Sequence, residues 1–431
     1  MKKLIPVTIL VLASVYPLTL LFLSTQTVLQ VDQDVKVIGV STPIRVVAVN
    51  PHGIRELTAS IEQGGRSFPV FVHTEPSHRW RLSRGKENPR TFVIDPGTRN
   101  VTSLKDGKAH LVIEASANDL RGKKDRLDFD VEVNTQPPLI TVDKYTHNLS
   151  LGGVSVVTFT VGGYVSESGV RVGRYRFRSF PFQGRRICFF TAPHDVTDAD
   201  EAVAYARNPA GAEAAEKLKG EIRRKTFRRR QIVVDDKFLN KVLNELDPGG
   251  KGDPVARFTK VNHDLRQANN QALSGMRMQT AEQVLWDGPF RQLSRSKAEA
   301  QFCDYRTYFY KGQSVDEQIH FGFDLAGLKK MPVNAANDGK VIFAGPLGIY
   351  GNAIVIDHGY AIQSLYAHLS EVNVKGGQTV KKDEIIARTG TSGLASGDHL
   401  HFSIQVDGIP VDPKQWWDPN WYQSNIESRL R

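Results

Sequence analysis

Five histidines and an aspartate in the last 112 residues are spaced in a way that suits metal-assisted hydrolysis. His320 and Asp324, in "HFGFD", lie four apart, on one face of a strand or a helical turn. His399 and His401, in "SGDHLHFSIQ", lie two apart in what reads as a short strand, so both rings look to the same side. A histidine with a carboxylate begins a zinc site, and a catalytic zinc takes three protein ligands while keeping its fourth position for water. Either His399 or His401 completes the set, and spacing alone leaves both open. Zinc so held lowers the pKa of its water to about 7 and polarises a carbonyl oxygen, but a proton shuttle is still needed. No HExxH motif supplies a glutamate. The shuttle therefore falls to imidazoles, namely His368 in "LYAHLS" and whichever member of the HLH pair is not a ligand. His358, in "DHG", ends a strand at a turn and reads as structural.

These residues need a rigid frame, and the pattern predicts a mostly β chain. From residue 287 onward, short strands alternate with glycine-rich turns ("KVIFAG", "NAIVIDHG", "AIQSLYAHL", "LHFSIQVDG"), indicating a compact antiparallel β domain over 287–431. Residues 31–136 show regular strand-turn spacing without helical periodicity, as expected of an immunoglobulin-like β-sandwich. "NTQPPLITV" reads as a hinge into a second β-rich module, 137–234. Residues 235–286 read as a helical linker. Asp235 or Asp236 caps "KFLNKVLNEL", which Pro248-Gly249-Gly250 stops. Asp253 with Pro254 at the first position opens a second helix. In it Phe258, Val261, Leu265, Ala268 and Ala272 recur at three- and four-residue intervals, up to Gly275. That amphipathic helix docks on its neighbours or covers the cleft.

The net charge is +10, from 56 basic and 46 acidic residues, and it is unevenly placed. From Tyr305 onward 12 basic residues meet 13 acidic ones, so the excess lies upstream, in runs such as "IRRKTFRRR". Such a run suits a solvated strand face or attraction to anionic envelope polymers; nucleic acid is not expected as a partner. The N-terminus explains why. Lys2 and Lys3 precede about 20 uncharged, mostly apolar residues, enough to span a bilayer with the rest of the chain sent outward. Residues 1–30 are thus expected to form a retained, single-pass membrane anchor, and the bulk of the chain to occupy the periplasm or cell envelope. Only Cys188 and Cys303 are present, beside phenylalanines, and two buried free thiols are expected.

"HFGFDLAG", "PVNAANDGKVIFAG", "GNAIVIDHG", "LYAHLS", "GQTVKKDEIIARTGTSG" and "SGDHLHF", in that order, resemble the lysostaphin-type (LytM-like) zinc endopeptidases that cut peptidoglycan peptides. The likeness runs from His320 to Trp417. It implies one zinc ion per chain held by His320, Asp324 and His401, with His368 and His399 as catalytic residues beside the water and the developing oxyanion. It also implies a peptidoglycan cross-link peptide as substrate. The arrangement of anchor, sandwich modules and C-terminal peptidase is similar to Gram-negative envelope members of that family, whose expected partners are the membrane and other envelope or divisome proteins. Two departures stand out: Cys303 replaces a common glycine, and Ser403 replaces an acidic residue that often follows "HLHF".

Two rival readings follow from other features. Some relatives lose ligands and instead activate cell-wall amidases as non-catalytic scaffolds, whereas this chain retains all five positions. "VNVKGGQTVKKDEIIARTG" has the hairpin rhythm of lipoyl carriers, with Lys381 and Lys382 at the turn, but a carrier leaves the histidines unexplained.

Overall fold

A computed structural model describes residues 15–80 and 89–430. Residues 15–23 are helical, and no helix among the described residues is long and apolar enough to cross a membrane. Most of the apolar run expected to form the anchor lies outside the described residues.

The chain forms two compact units. The first runs to Leu139 and adds Gly162–Glu167 and Ala206–Ala214. Within it a five-stranded sheet, centred on Ile54–Gln63 and Gly107–Ala117, faces a three-stranded sheet of Val28–Val31, Ile44–Val49 and Arg90–Ile94. Alternating apolar residues such as Leu57, Ala59 and Ile61 meet Val46, Phe92 and Ile94 in one core, as a sandwich requires.

The second unit comprises Ile140–Val161, Ser168–Tyr205 and Ala215–Arg431. Its central eight-stranded sheet carries Phe323–Ala326, Leu400–Val406, Ile362–Leu369, Asn352–Asp357 and Gly339–Pro346 side by side, with antiparallel pairing throughout. One apolar core joins this sheet, through Phe323, Tyr360, Phe402 and Trp416, to Val156, Phe189 and Phe190 of the second β-rich segment. Cys188 and Cys303 are both buried and free, as expected. Cys303 has φ +58°, in the left-handed region where glycine is the easy choice.

The basic residues of the run are exposed, as expected of a solvated face, and they also pair with neighbouring strands. Arg229–Val233 is a strand paired in parallel with Asp304–Tyr310, which pairs antiparallel with Gln313–His320. Arg228 ion-pairs with Asp304 at 2.6 Å, and Arg229 lies 5.8 Å over the Tyr305 ring. The parallel strand joins the C-terminal sheet system across about 70 residues of chain, so local periodicity could not reveal it.

Both helix starts are where the capping residues put them. Asp235 accepts the Phe238 N–H to open Asp236–Leu246, and Asp253 accepts the Ala256 N–H to open Pro254–Lys260. The second helix is not one regular α-helix. It passes through a π turn, Val261–Leu265, before continuing as Arg266–Gly275. A wide turn adds one residue and shifts the following stripe by one position. Ala268 and Ala272 are accordingly exposed, contrary to the 3.6-residue pattern, and Asn269 and Leu273 are buried instead. Phe258, Val261 and Leu273 pack with Tyr308, Tyr350, Leu365 and Ala367, docking the helices on the sheet that carries the histidines.

Candidate active site

Strand register assembles the site. Asp324 lies opposite His401 on neighbouring antiparallel strands, and His401 lies opposite Ala367 on the next, one residue before His368. His320 ends its own strand opposite Asp304. His399 and His401 share a face as the two-residue spacing requires, and the rings of His368 and His399 lie 4.8 Å apart. His368 itself sits at φ +61°, where the strand irregularity between Asn352 and Ile354 turns the chain. A non-glycine residue held there is strained, a condition that functional positions often tolerate.

Three ligand atoms converge. His320 Nε2 is 2.9 Å from Asp324 Oδ1 and 2.9 Å from His401 Nδ1, and His401 Nδ1 is 3.1 Å from Asp324 Oδ1. His399 Nε2 is 3.5 Å from the same oxygen. His320 donates its Nδ1–H to the Gln301 carbonyl at 3.0 Å, which leaves a lone pair on Nε2. Three such atoms, almost removed from water, form a donor set that suits a small cation, since the edges of a tetrahedral zinc site are roughly 3.3 Å at zinc–ligand distances of about 2.0–2.1 Å. The group therefore fits a metal by both chemistry and size.

The surroundings tune each member. Burial raises the Asp324 carboxyl, but neighbouring groups, the Arg306 charge and the His399 hydrogen bond among them, outweigh it and hold the acid well below its usual range. Arg306 supplies a 2.7 Å ion pair to Oδ2. Burial lowers His320 to about 4 and lowers His401, keeping both in the neutral, ligating form. Burial likewise pushes His368 well down, helped by the neighbouring imidazoles. Burial works against a charge on His399 too, yet the hydrogen bond and charge of Asp324 raise it overall. His368 donates Nδ1–H to Ser392 O at 2.8 Å and His399 donates Nδ1–H to Gly397 O at 2.8 Å, so each ring keeps Nε2 for chemistry.

His358 stays apart. Its two nitrogens meet Asp338 O and Ser364 Oγ, both at 2.7 Å, within the core, in line with its structural reading. Lys381 and Lys382 are engaged with Asp338 Oδ2 at 2.8 Å and Asp287 O at 2.7 Å, an arrangement unlike a presented carrier lysine.

Sequence reasoning missed several supporting residues. Arg306, in "DYRTYFY", gave no signal, because its partner is 18 residues away and is fixed only by the sheet. Gly322 is required by close approach: a Cβ there would lie 2.7 Å from the His401 ring and 2.6 Å from Phe402 O. Lys241 donates to Thr391 O at 2.6 Å and Glu245 accepts the Gly393 N–H, so the first helix clamps the loop whose Ser392 carbonyl orients His368. Around the cluster lies a cavity of ≈ 280 Å³, walled on one side by Tyr350, Arg266 and Phe238.

Comparison with known proteins places this geometry. Peptidase family M23 matches residues 318–413, which hold all five predicted site residues. The chain is similar to the DD-carboxypeptidase/endopeptidase Mpg of Neisseria meningitidis, 41% identical over 101 residues, covering 22% of each protein. It is similar to the peptidoglycan DD-endopeptidase ShyB of Vibrio cholerae, 41% identical over 93 residues and 22% of each. It is also similar to the lipoprotein NlpD/LppB homolog of Pseudomonas aeruginosa, 41% identical over 99 residues, 23% of this chain and 33% of that one. The matched region thus spans about a fifth to a third of the curated relatives' length.

Proposed function

The C-terminal part of this chain is a peptidase family M23 domain, and from that premise we propose that the protein is a zinc-dependent endopeptidase that hydrolyses peptide cross-links of peptidoglycan. The observation that carries this reading is the convergence of His320, Asp324 and His401 within 2.9–3.1 Å of one another, with two further imidazoles beside them. His320 Nε2, Asp324 Oδ1 and His401 Nδ1 would hold one zinc ion. When bound, zinc supplies an acidified water and polarises the scissile carbonyl.

The chain's own groups then do the rest. His399 Nε2, whose affinity for a proton Asp324 raises, takes the proton of the attacking water. His399 then returns that proton to the leaving amine, while His368, locked by Ser392 with the Nε2 lone pair outward, lies beside it and orients the attacking water by accepting a hydrogen bond. No side chain serves as a covalent nucleophile.

Zinc content and clearing of purified cell walls test this together. His320→Ala, Asp324→Ala and His401→Ala should lose both zinc and clearing; His368→Ala and His399→Ala should keep zinc and lose clearing; His110→Ala, an exposed residue of the other unit, should keep both. Equal clearing by all variants would sink the assignment. The scaffold reading draws support from the likeness to the NlpD/LppB homolog, and the complete set of five residues favours catalysis over it.

The apolar N-terminal run supports a single-pass inner-membrane anchor with the enzyme on the envelope side. Retention of the full-length chain in carbonate-washed membranes, and its release on deletion of residues 1–24, is the expected result.

A further inference from the structure

The helical segment after Pro254 lies outside the region matched to the family, yet it builds one wall of the cleft. Its π turn, Val261–Leu265, ends at Arg266, and π turns within α-helices recur at functional positions because the wide turn re-aims the side chain that follows. Arg266 lines the cavity of the histidine cluster and also the two grooves that lead away from it. Among the described residues no other lysine or arginine lines all three.

Arg266 is held but not neutralised. Its Nε donates to Asn262 O at 3.1 Å and its Nη2 to Asn262 Oδ1 at 2.6 Å. Asn262 is buried and is itself fixed by Asp316 Oδ2 at 2.7 Å. Among the described residues no carboxylate lies within ion-pair distance of the Arg266 guanidinium, and Nη1 makes no hydrogen bond to them. The acidic groups that share these cavities are engaged elsewhere. Asp235 caps a helix, Glu299 pairs with Lys297 at 3.2 Å, Glu317 accepts from Thr307 at 3.3 Å, and Asp324 belongs to the metal cluster. A half-buried, pre-oriented guanidinium with a free edge is the arrangement that reads a planar carboxylate.

We infer that Arg266 binds a free carboxylate of the peptide substrate and so makes the enzyme select anionic peptides over their amidated forms. This rests on the endopeptidase reading. A cavity of ≈ 280 Å³ is roughly two extended residues across, so the recognised carboxylate belongs to a residue next to, or one removed from, the scissile bond. Tyr350, whose ring is 5.5 Å from that of His401 and whose hydroxyl donates to Asn270 at 2.8 Å, lines the same cavity as Arg266.

The test uses the zinc-loaded full chain with two synthetic cross-linked stem-peptide dimers, one with free carboxylates and one with every carboxylate amidated. The wild type should favour the carboxylate dimer by about tenfold or more in KM, the scale of one charge-assisted hydrogen-bonded contact. In Arg266→Gln that ratio should fall towards one through a higher KM for the carboxylate dimer, and Arg266→Lys should recover part of it, with zinc content unchanged in both. A wild type without preference, or a preference that survives in Arg266→Gln, overturns the proposal. If neither dimer is cut, the endopeptidase reading itself fails. Titration with reduced-amide analogues of both dimers, followed by tryptophan fluorescence, then decides the Arg266 claim alone: selective tight binding that Arg266→Gln abolishes upholds it, and equal binding of the two analogues refutes it.

Discussion

Arg306 donates Nη2–H to Oδ2 of Asp324 at 2.7 Å, on the carboxylate oxygen opposite the one that faces His320 and His401. The pair orients the carboxylate and keeps it ionised, although both partners are largely removed from water. Outer contacts of this kind typically contribute 10–100-fold to metal affinity. Arg306→Leu should weaken zinc binding by about that factor in a chelator competition, and Arg306→Lys, which cannot reproduce the planar fork, should fall between. Wild-type affinity in Arg306→Leu would show that the pair has no part in holding the cluster.

Gly322 has a steric role that can be tested with one methyl group. A Cβ placed 2.6 Å from Phe402 O and 2.7 Å from the His401 ring must displace one of them. Gly322→Ala should cost about 1–3 kcal/mol in denaturant unfolding, as overpacking does, and lower zinc occupancy. A variant with full zinc content would mean that the strand yields instead of the ring.

The buried His358 confers a pH dependence of stability. Burial depresses it to about 4 in the folded chain, against an ordinary value near 6.5 when unfolded. The neutral ring is favoured in the fold, so its contribution is complete above about 6.5 and is lost as pH falls toward 4, where only the unfolded chain takes up the proton. Between pH 7 and 4.5 the wild type should lose about 2 kcal/mol more than His358→Gln, measured by urea unfolding. Parallel losses in the two proteins would exclude His358 as the source.

The π turn makes a prediction opposite to simple helical periodicity. Leu273 is buried and Ala272 exposed, although Ala272 continues the three-and-four spacing from Phe258. Leu273→Ala should cost about 2–4 kcal/mol, and Ala272→Glu should stay within about 0.5 kcal/mol. The reverse order in thermal melts would place the stripe where the unbroken α-helix puts it.

Much of the site was legible from residues alone. Period-two alternation put His399 and His401 on one face, and "HFGFD" joined an imidazole to a carboxylate, because strand geometry acts over two to four residues and leaves its mark there. The helix starts at Asp235 and Asp253 were legible for the same reason, each being a side chain that satisfies an N–H three residues on. The β-rich character came from strand-turn rhythm. Other features have no local signature. The parallel pairing of Arg229–Val233 with Asp304–Tyr310, the Arg306 contact to Asp324, the grip of Lys241 and Glu245 on the loop that orients His368, and the one-residue shift that aims Arg266 into the cleft all depend on chain segments brought together from 18 to about 150 residues apart, or on a turn whose width is set by what it packs against. The sequence by itself determined which groups could do the chemistry; tertiary packing decided which atoms face one another, because direction and distance between remote side chains are properties of the assembled core and not of any short stretch of chain.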